Sequence, residues 1–137
     1  MSPRDWKDFI QDSLDAIQEI FSFTAGMNFE AFRSDIKTIR AVELNFIIIG
    51  ESVNAIPDDV QGAHPEVPWH FMRAMRNRLV HVYFEVDARL VWNTIKNDLP
   101  PLFTALKNWQ RKTIDTSITH WTELLTSEQM VVPPKGR

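Results

Sequence analysis

Cysteine is absent from this 137-residue chain. That excludes disulfides, thiolate catalysis and cysteine-based zinc sites together. Long apolar runs are missing as well. The longest, around NFIIIG at residues 45–50, is far too short to cross a bilayer. The N-terminus, MSPRDWKDF, is charged and lacks the apolar core of a secretory signal. A cytoplasmic protein with no membrane association is expected. Nothing alternates with period two over a useful length, which argues against a sheet. What is present is enough chain for one domain with a proper core, rich in aromatics through five Trp and nine Phe.

The net charge of −3 argues weakly against bulk nucleic-acid binding. It is unevenly spread. Residues 1–60 hold eleven acids and five bases (net −6), and residues 61–137 hold seven acids and ten bases (net +3). An acidic half and a basic half suit a protein whose basic part meets phosphate. Chance unevenness in a small protein gives the same numbers.

Helical spacing dominates the chain. Residues 4–22 carry Trp6, Phe9, Ile10, Leu14, Ile17, Ile20 and Phe21 on one face, and Gly26 is placed to end that helix. NFEAFR at 28–33 reads as a single turn capped by Asn28. Asp35 starts a long helix over 35–55, with Ile36, Ile39, Val42, Phe46, Ile47, Ile49 and Val53 as its apolar set and Pro57 as its stop. Gly50 inside it costs roughly 1 kcal/mol relative to Ala, which a close helix approach would justify. Residues 57–67 read as the main loop. Pro68 then opens a helix over about 68–83, and Asp87 caps another that runs to Leu99. Pro100–Pro101 should kink or restart the chain. A further helix reaches about Lys112, residues 115–127 form one more short helix, and the VVPPKGR end is disordered. The expected fold is all-α, a bundle of four to five helices. It divides into a helical domain over 1–112 and a C-terminal extension over 113–137.

The stretch RNRLVHVYF, residues 76–84, concentrates Arg76, Arg78 and His81 within six residues, with Asn77 and Tyr83 among them and no acid until Glu85. On a helix Asn77 and His81 share a face, so the amide can set the imidazole tautomer. Arg76 and Tyr83 share a neighbouring stripe, with Arg73 close to it. Leu79, Val80, Val82 and Met72 supply the packing faces. His81 lies roughly 140° from Arg76 on an ideal helix. Two copies facing each other across a dimer axis therefore bring the two groups together more naturally than one chain does. A histidine exchanges protons near neutral pH, and a guanidinium fork fits phosphate oxygens. Together they suit metal-free cleavage of RNA, with the ribose 2′-OH as nucleophile. Read from residue types alone, the same pattern also fits a structural histidine among surface arginines.

RNRLVHVYF resembles the R-x4-H-x-Y signature of HEPN domains, specifically that of the HepT-like toxin family. Arg76, His81 and Tyr83 stand at the signature positions, and Asn77 at the polar position after the arginine. The flanks are similar too: FRSDIKTIRAVELNFIIIGESVNAIP to the family's long helix with its IGE-A element, VPWHFMRAMRN to the I-P-W lead-in, and VDARLVWNTIKNDLPPLFTAL to the helix that follows. The likeness covers about residues 5–110. Ser52 replaces the usual Ala, and the segment beyond residue 112 matches no part of the pattern. The resemblance implies a HEPN-like bundle that forms a homodimer, with two motifs meeting in one cleft. It implies a metal-independent endoribonuclease toxin needing no cofactor. It also implies a partner antitoxin, a minimal nucleotidyltransferase of the MntA type that attaches AMP to the motif tyrosine. Carried over, Arg76 and His81 are the catalytic pair and Tyr83 the modification site. Asn77, Arg73, Arg78 and Glu51 support them, and Glu51 either orients Arg76 or His81 or is simply a helix-pairing acid. His64, His70 and His120 show no metal spacing with Asp58 or Asp59, so no metal is expected. Two other readings remain: a non-catalytic helical module that binds a nucleotide or a partner, and a structural subunit whose basic helix is only an interface.

Overall fold

The computed structural model of the chain describes the backbone of residues 5–81 and 87–129, and the side chains of residues 5–77, 87–113 and 122–125. Those residues form seven α-helices and one π-helical turn, with no strand among them. The all-α expectation therefore stands. The chain divides into two compact units, Met1–Leu106 and Lys107–Arg137.

Helix α1 (Trp6–Thr24) starts with a capping box. The Asp5 carboxylate accepts from the N–H groups of the first turn, and Asp8 reaches back to the Asp5 N–H at 3.0 Å. It stops just before Gly26, whose φ of +76° only glycine adopts cheaply. Helix α2 (Phe29–Arg33) is the expected single turn, capped by the Asn28 side chain accepting from the Ala31 N–H at 2.8 Å. Helix α3 (Ile36–Asn54) is capped by Asp35, which accepts from both the N–H and the hydroxyl of Thr38, at 3.1 and 2.7 Å. Those two bonds, the hydroxyl's first, hold the Asp35 carboxyl below the usual carboxylate range.

Helix α3 is the central element of the first unit, packed against α1 and against α5 (Trp69–His81). Its buried row is Ile39, Val42, Phe46, Ile49 and Val53, spaced three and four apart. The facing row on α1 is Ile10, Leu14, Ile17 and Ile20, all but excluded from solvent. Met72 and Met75 supply the buried side of α5. Two members of the expected apolar set do not join the core: Ile36 is 61% exposed and Ile47 36%. Both lie on the side of α3 that neither α1 nor α5 covers.

Two further expectations are corrected. Residues 57–67 are not simply a loop, because Pro57, Asp58 and Asp59 start a short helix, α4 (Asp58–Ala63). A proline followed by first-turn acids is a helix start. At the prolines at 100 and 101 the helix restarts, as expected. Helix α6 (Ala88–Asn93) passes into a π-helical turn, Thr94–Asp98, in which the Leu99 N–H donates to the Thr94 carbonyl five residues back. Helix α7 (Leu99–Gln129) then begins with both prolines in its first turn, where their missing N–H groups cost least. Helix α7 also continues unbroken through residues 112–115, so the separate helix expected over 115–127 is part of it. The VVPPKGR end lies outside the described residues.

Candidate functional site

The site grows from one glycine. Gly50 is buried on α3 where α5 crosses it, and a Cβ there would lie 2.5 Å from Arg76 Cβ and 3.1 Å from Arg76 N. Only a residue without a side chain allows the two backbones so close, which is the role expected of Gly50. One residue further along α3, the Glu51 carboxylate is ion-paired with Arg76 Nε. Both side chains are about half exposed, so this is a surface pair that orients more than it stabilises. The pairing of Glu51 with Arg76 fits both an orienting acid and a helix-pairing one.

The lower turn of α5 is held by a strap that the sequence did not advertise. Gln61, on α4, donates through Nε2 to the carbonyls of Val53 (3.1 Å) and Ile56 (3.0 Å) at the end of α3. Its Oε1 accepts from Arg73 Nη2 at 2.5 Å. Trp69 closes the arrangement, its indole N–H shared between the carbonyls of Gln61 and His64, each at 3.0 Å. These bonds satisfy carbonyls left open at two helix ends and fix the start of α5. Arg73 is thus half-buried and engaged by Gln61, whereas Arg76, one turn on, is exposed beside Glu51. The one local signal for the strap was the helix start at Pro57–Asp59. Nothing in the sequence pairs Gln61 with Arg73.

Asn77 is exposed, and the backbone of α5 stays helical to His81, so positions 77 and 81 share a face. The side chains of Arg78 and His81 lie outside the described ones, and Tyr83 lies outside the described residues altogether. Directly after that stretch Asp87 caps α6, accepting from the N–H groups of Arg89 (3.0 Å) and Leu90 (3.2 Å). His64 approaches Glu66 at 3.2 Å and His70 is exposed. Among the described residues no three His, Asp or Glu side chains are grouped so as to hold a metal ion. None of the described helices is long and apolar enough to cross a membrane.

A guanidinium at a helix crossing, half exposed and paired with a carboxylate, is a group that can grip an anion. Known proteins give this arrangement a family. A family model described as "Ribonuclease HepT-like" matches residues 13–108. A protein named "Probable ribonuclease HepT" from Thermococcus cleftensis is 46% identical over 99 residues, which are 72% of this chain and 90% of that one. One named "Putative RNase" from Methanocaldococcus jannaschii is 35% identical over 100 residues, 73% of this chain and 83% of that one. Another with that name, from Caldanaerobacter subterraneus, is 32% identical over 104 residues, 76% and 93% of the two chains. No solved structure matches. With most of its length matched, and the α3–α5 crossing and the R-x4-H segment inside the match, the chain belongs to the HepT-like ribonuclease family.

Proposed function

We propose that this chain is a cytoplasmic, metal-independent endoribonuclease, the toxin of a toxin–antitoxin pair, acting as a homodimer. Arg76 binds the scissile phosphate and neutralises charge that builds on it. His81 takes the proton of the ribose 2′-OH, whose oxygen attacks the adjacent phosphorus. The bond to the 5′-oxygen breaks, and that oxygen leaves with a proton from an imidazolium. The products are a 2′,3′-cyclic phosphate and a 5′-hydroxyl, so no water, metal or cofactor enters the step. What supports this reading is the exposed Arg76 at the Gly50 crossing, within a match to relatives named as ribonucleases.

Inhibition would come from a minimal nucleotidyltransferase antitoxin. The Tyr83 hydroxyl attacks the α-phosphorus of ATP and pyrophosphate leaves. Tyr83 is the chain's single tyrosine, and AMP on it would set bulk and negative charge on the stripe of Arg76. Purified, unmodified protein should cut RNA in EDTA, and His81→Ala and Arg76→Ala should each abolish cutting. Undiminished cleavage by His81→Ala would remove His81 from the chemistry. The second reading is a non-catalytic module that binds a nucleotide or the antitoxin, and the engagement of Arg76 by Glu51 favours it. RNA binding with no cleavage under any condition would select it.

A further inference from the structure

Two exposed cations, one on α6 and one on the π-helical turn, rest on aromatic rings instead of acids. The Arg89 guanidinium lies over Phe29, 3.5 Å from the ring centroid, and the Lys96 ammonium lies over Trp92 at 4.6 Å. The rings form a ladder of their own. Phe29 and Trp92 are 6.5 Å apart between centroids, and Phe32 and Trp92 5.2 Å. Phe32 and Trp92 are buried and Phe29 is half-buried, so the platform under the cations is fixed by the fold. Among the described residues neither cation has a carboxylate within ion-pairing distance.

Asn93 stands between the two. Residues 89, 93 and 96 are all exposed, at spacings of four and three. They form one stripe with an amide in the middle and a cation at each end, about 10 Å apart along the axis. The nearest acids are placed otherwise. Asp87 turns its carboxylate onto the N–H groups of Arg89 and Leu90 as the cap of α6. Glu30, next to Phe29, faces Arg33 at 3.8 Å. Asp98, two residues past Lys96, leaves the helix from roughly the opposite side. A cation laid on a ring is held in place and keeps its outer side in solvent. A guanidinium so held offers a flat face to a base and an N–H edge to a phosphate. The ammonium takes a second phosphate.

We propose that Arg89, Asn93 and Lys96 form a subsite for single-stranded RNA, away from the scissile bond, with a base stacked on the Arg89 guanidinium and phosphates on Arg89 and Lys96. The proposal rests on the ribonuclease reading above for its ligand. Position supports it. Helix α5 starts at the Gln61 strap by the end of α3 and passes Gly50 at Arg76, so it runs back toward the start of α3. There α2, which carries Phe29, packs against α6. The stripe therefore lies beyond the His81 end of α5, roughly 20 Å from Arg76 by helix rise. One strand several nucleotides long spans both. A duplex keeps its bases stacked on one another and has none to lay on the guanidinium.

The test uses the full chain and a fluorescent 2′-O-methyl RNA of about 12 nucleotides, which has no free 2′-OH and is not cut. Binding is read by anisotropy. Arg89→Gln removes the charge and keeps a stem on Phe29; it should weaken binding about tenfold, and the double variant with Lys96→Gln about 50-fold. The slope of log affinity against log salt should fall by about 0.7 for each cation lost. Melting temperatures should stay within about 4 °C of wild type, since the rings remain covered. Lys7→Gln is the control for charge alone, because Lys7 also lies over a ring, Trp6 at 5.7 Å, but at the start of α1; its affinity should hold. Double-variant affinity equal to wild type, an equal loss on a duplex of the same sequence, or displacement of the RNA as readily by poly-glutamate as by unlabelled strand would overturn the subsite. Cleavage of ordinary RNA in EDTA is read in parallel, where the variants should act on KM more than on kcat. Cleavage with unchanged binding by the variants leaves the ribonuclease reading standing without the subsite. Binding lost as expected, with no cleavage by wild type, does the reverse.

Discussion

Gly50→Ala adds one methyl group at the point where α3 meets α5. The new Cβ lands 2.5 Å from Arg76 Cβ and 3.3 Å from Arg76 Cα, against about 3.5–4.0 Å for an ordinary carbon–carbon contact. Arg76 Cβ is the root of its side chain and moves only with the backbone, so α5 must retreat by about 1 Å at residue 76. In an unconstrained helix interior the same change would gain about 1 kcal/mol, whereas overpacking costs about 1–3 kcal/mol. The expected net is a loss of about 1 kcal/mol, a melting temperature lowered by about 4 °C for a chain of this size. Activity should suffer more than stability, because a displacement of about 1 Å at a reacting group costs about 100-fold. Circular-dichroism melts and RNA cleavage in EDTA read the two effects separately. Gly62 is the control. A Cβ there meets nothing within 4 Å, and Gly26 is the only glycine with positive φ among the described residues, so Gly62→Ala should be neutral or stabilise by about 0.5–1 kcal/mol. A Gly50→Ala protein that melts no lower than wild type and cuts RNA at the same rate would refute the close crossing at Arg76.

Three further outcomes are expected. Gln61→Ala leaves the Arg73 guanidinium and the Val53 and Ile56 carbonyls without their partner. It should cost about 1–3 kcal/mol in urea denaturation, and an unchanged midpoint would mean the α4 strap is held otherwise. Glu51→Ala should leave stability within about 1 kcal/mol, since the pair is half exposed, yet slow cleavage by about tenfold or more through loss of Arg76 orientation. Glu51→Gln, which keeps a hydrogen-bond acceptor, should recover much of that, and equal effects of the two would point to a purely structural role. Asp35 sets a pH dependence. Its carboxyl is depressed in the folded chain, first by the Thr38 hydroxyl, so its contribution is present above the unfolded value near 3.9 and is lost as pH falls through the folded value. Melts of wild type and Asp35→Asn should therefore converge as the pH drops below about 4; a gap that stays constant to pH 2 would contradict the cap.

Residues that act locally were readable. Asn28, Asp35 and Asp87 cap the helices they were expected to cap, and Gly26 ends α1. A cap bonds an N–H two or three residues away, so its partner is named by the sequence itself. Gly50 was readable for a related reason: a glycine in a helix interior carries a penalty that a close neighbour explains. Pro100 and Pro101 marked a restart that the structure shows, but the π-helical turn ahead of them, which shifts the hydrogen bonding, was not readable.

What the amino-acid order determined on its own is that the chain is helical and where its capped helices start, because caps depend on contacts within about four residues. Tertiary structure alone decided which apolar stripes are covered. Ile47 and Ile49 look alike in the sequence, yet Ile49 is sealed in the core and Ile47 faces outward. It also decided that Glu51 meets Arg76 and that Gln61 meets Arg73. Those partners are 25 and 12 residues apart in the chain. Periodicity records the direction in which a side chain leaves its helix, and only the packing of α3 against α1 and α5 determines what it finds there.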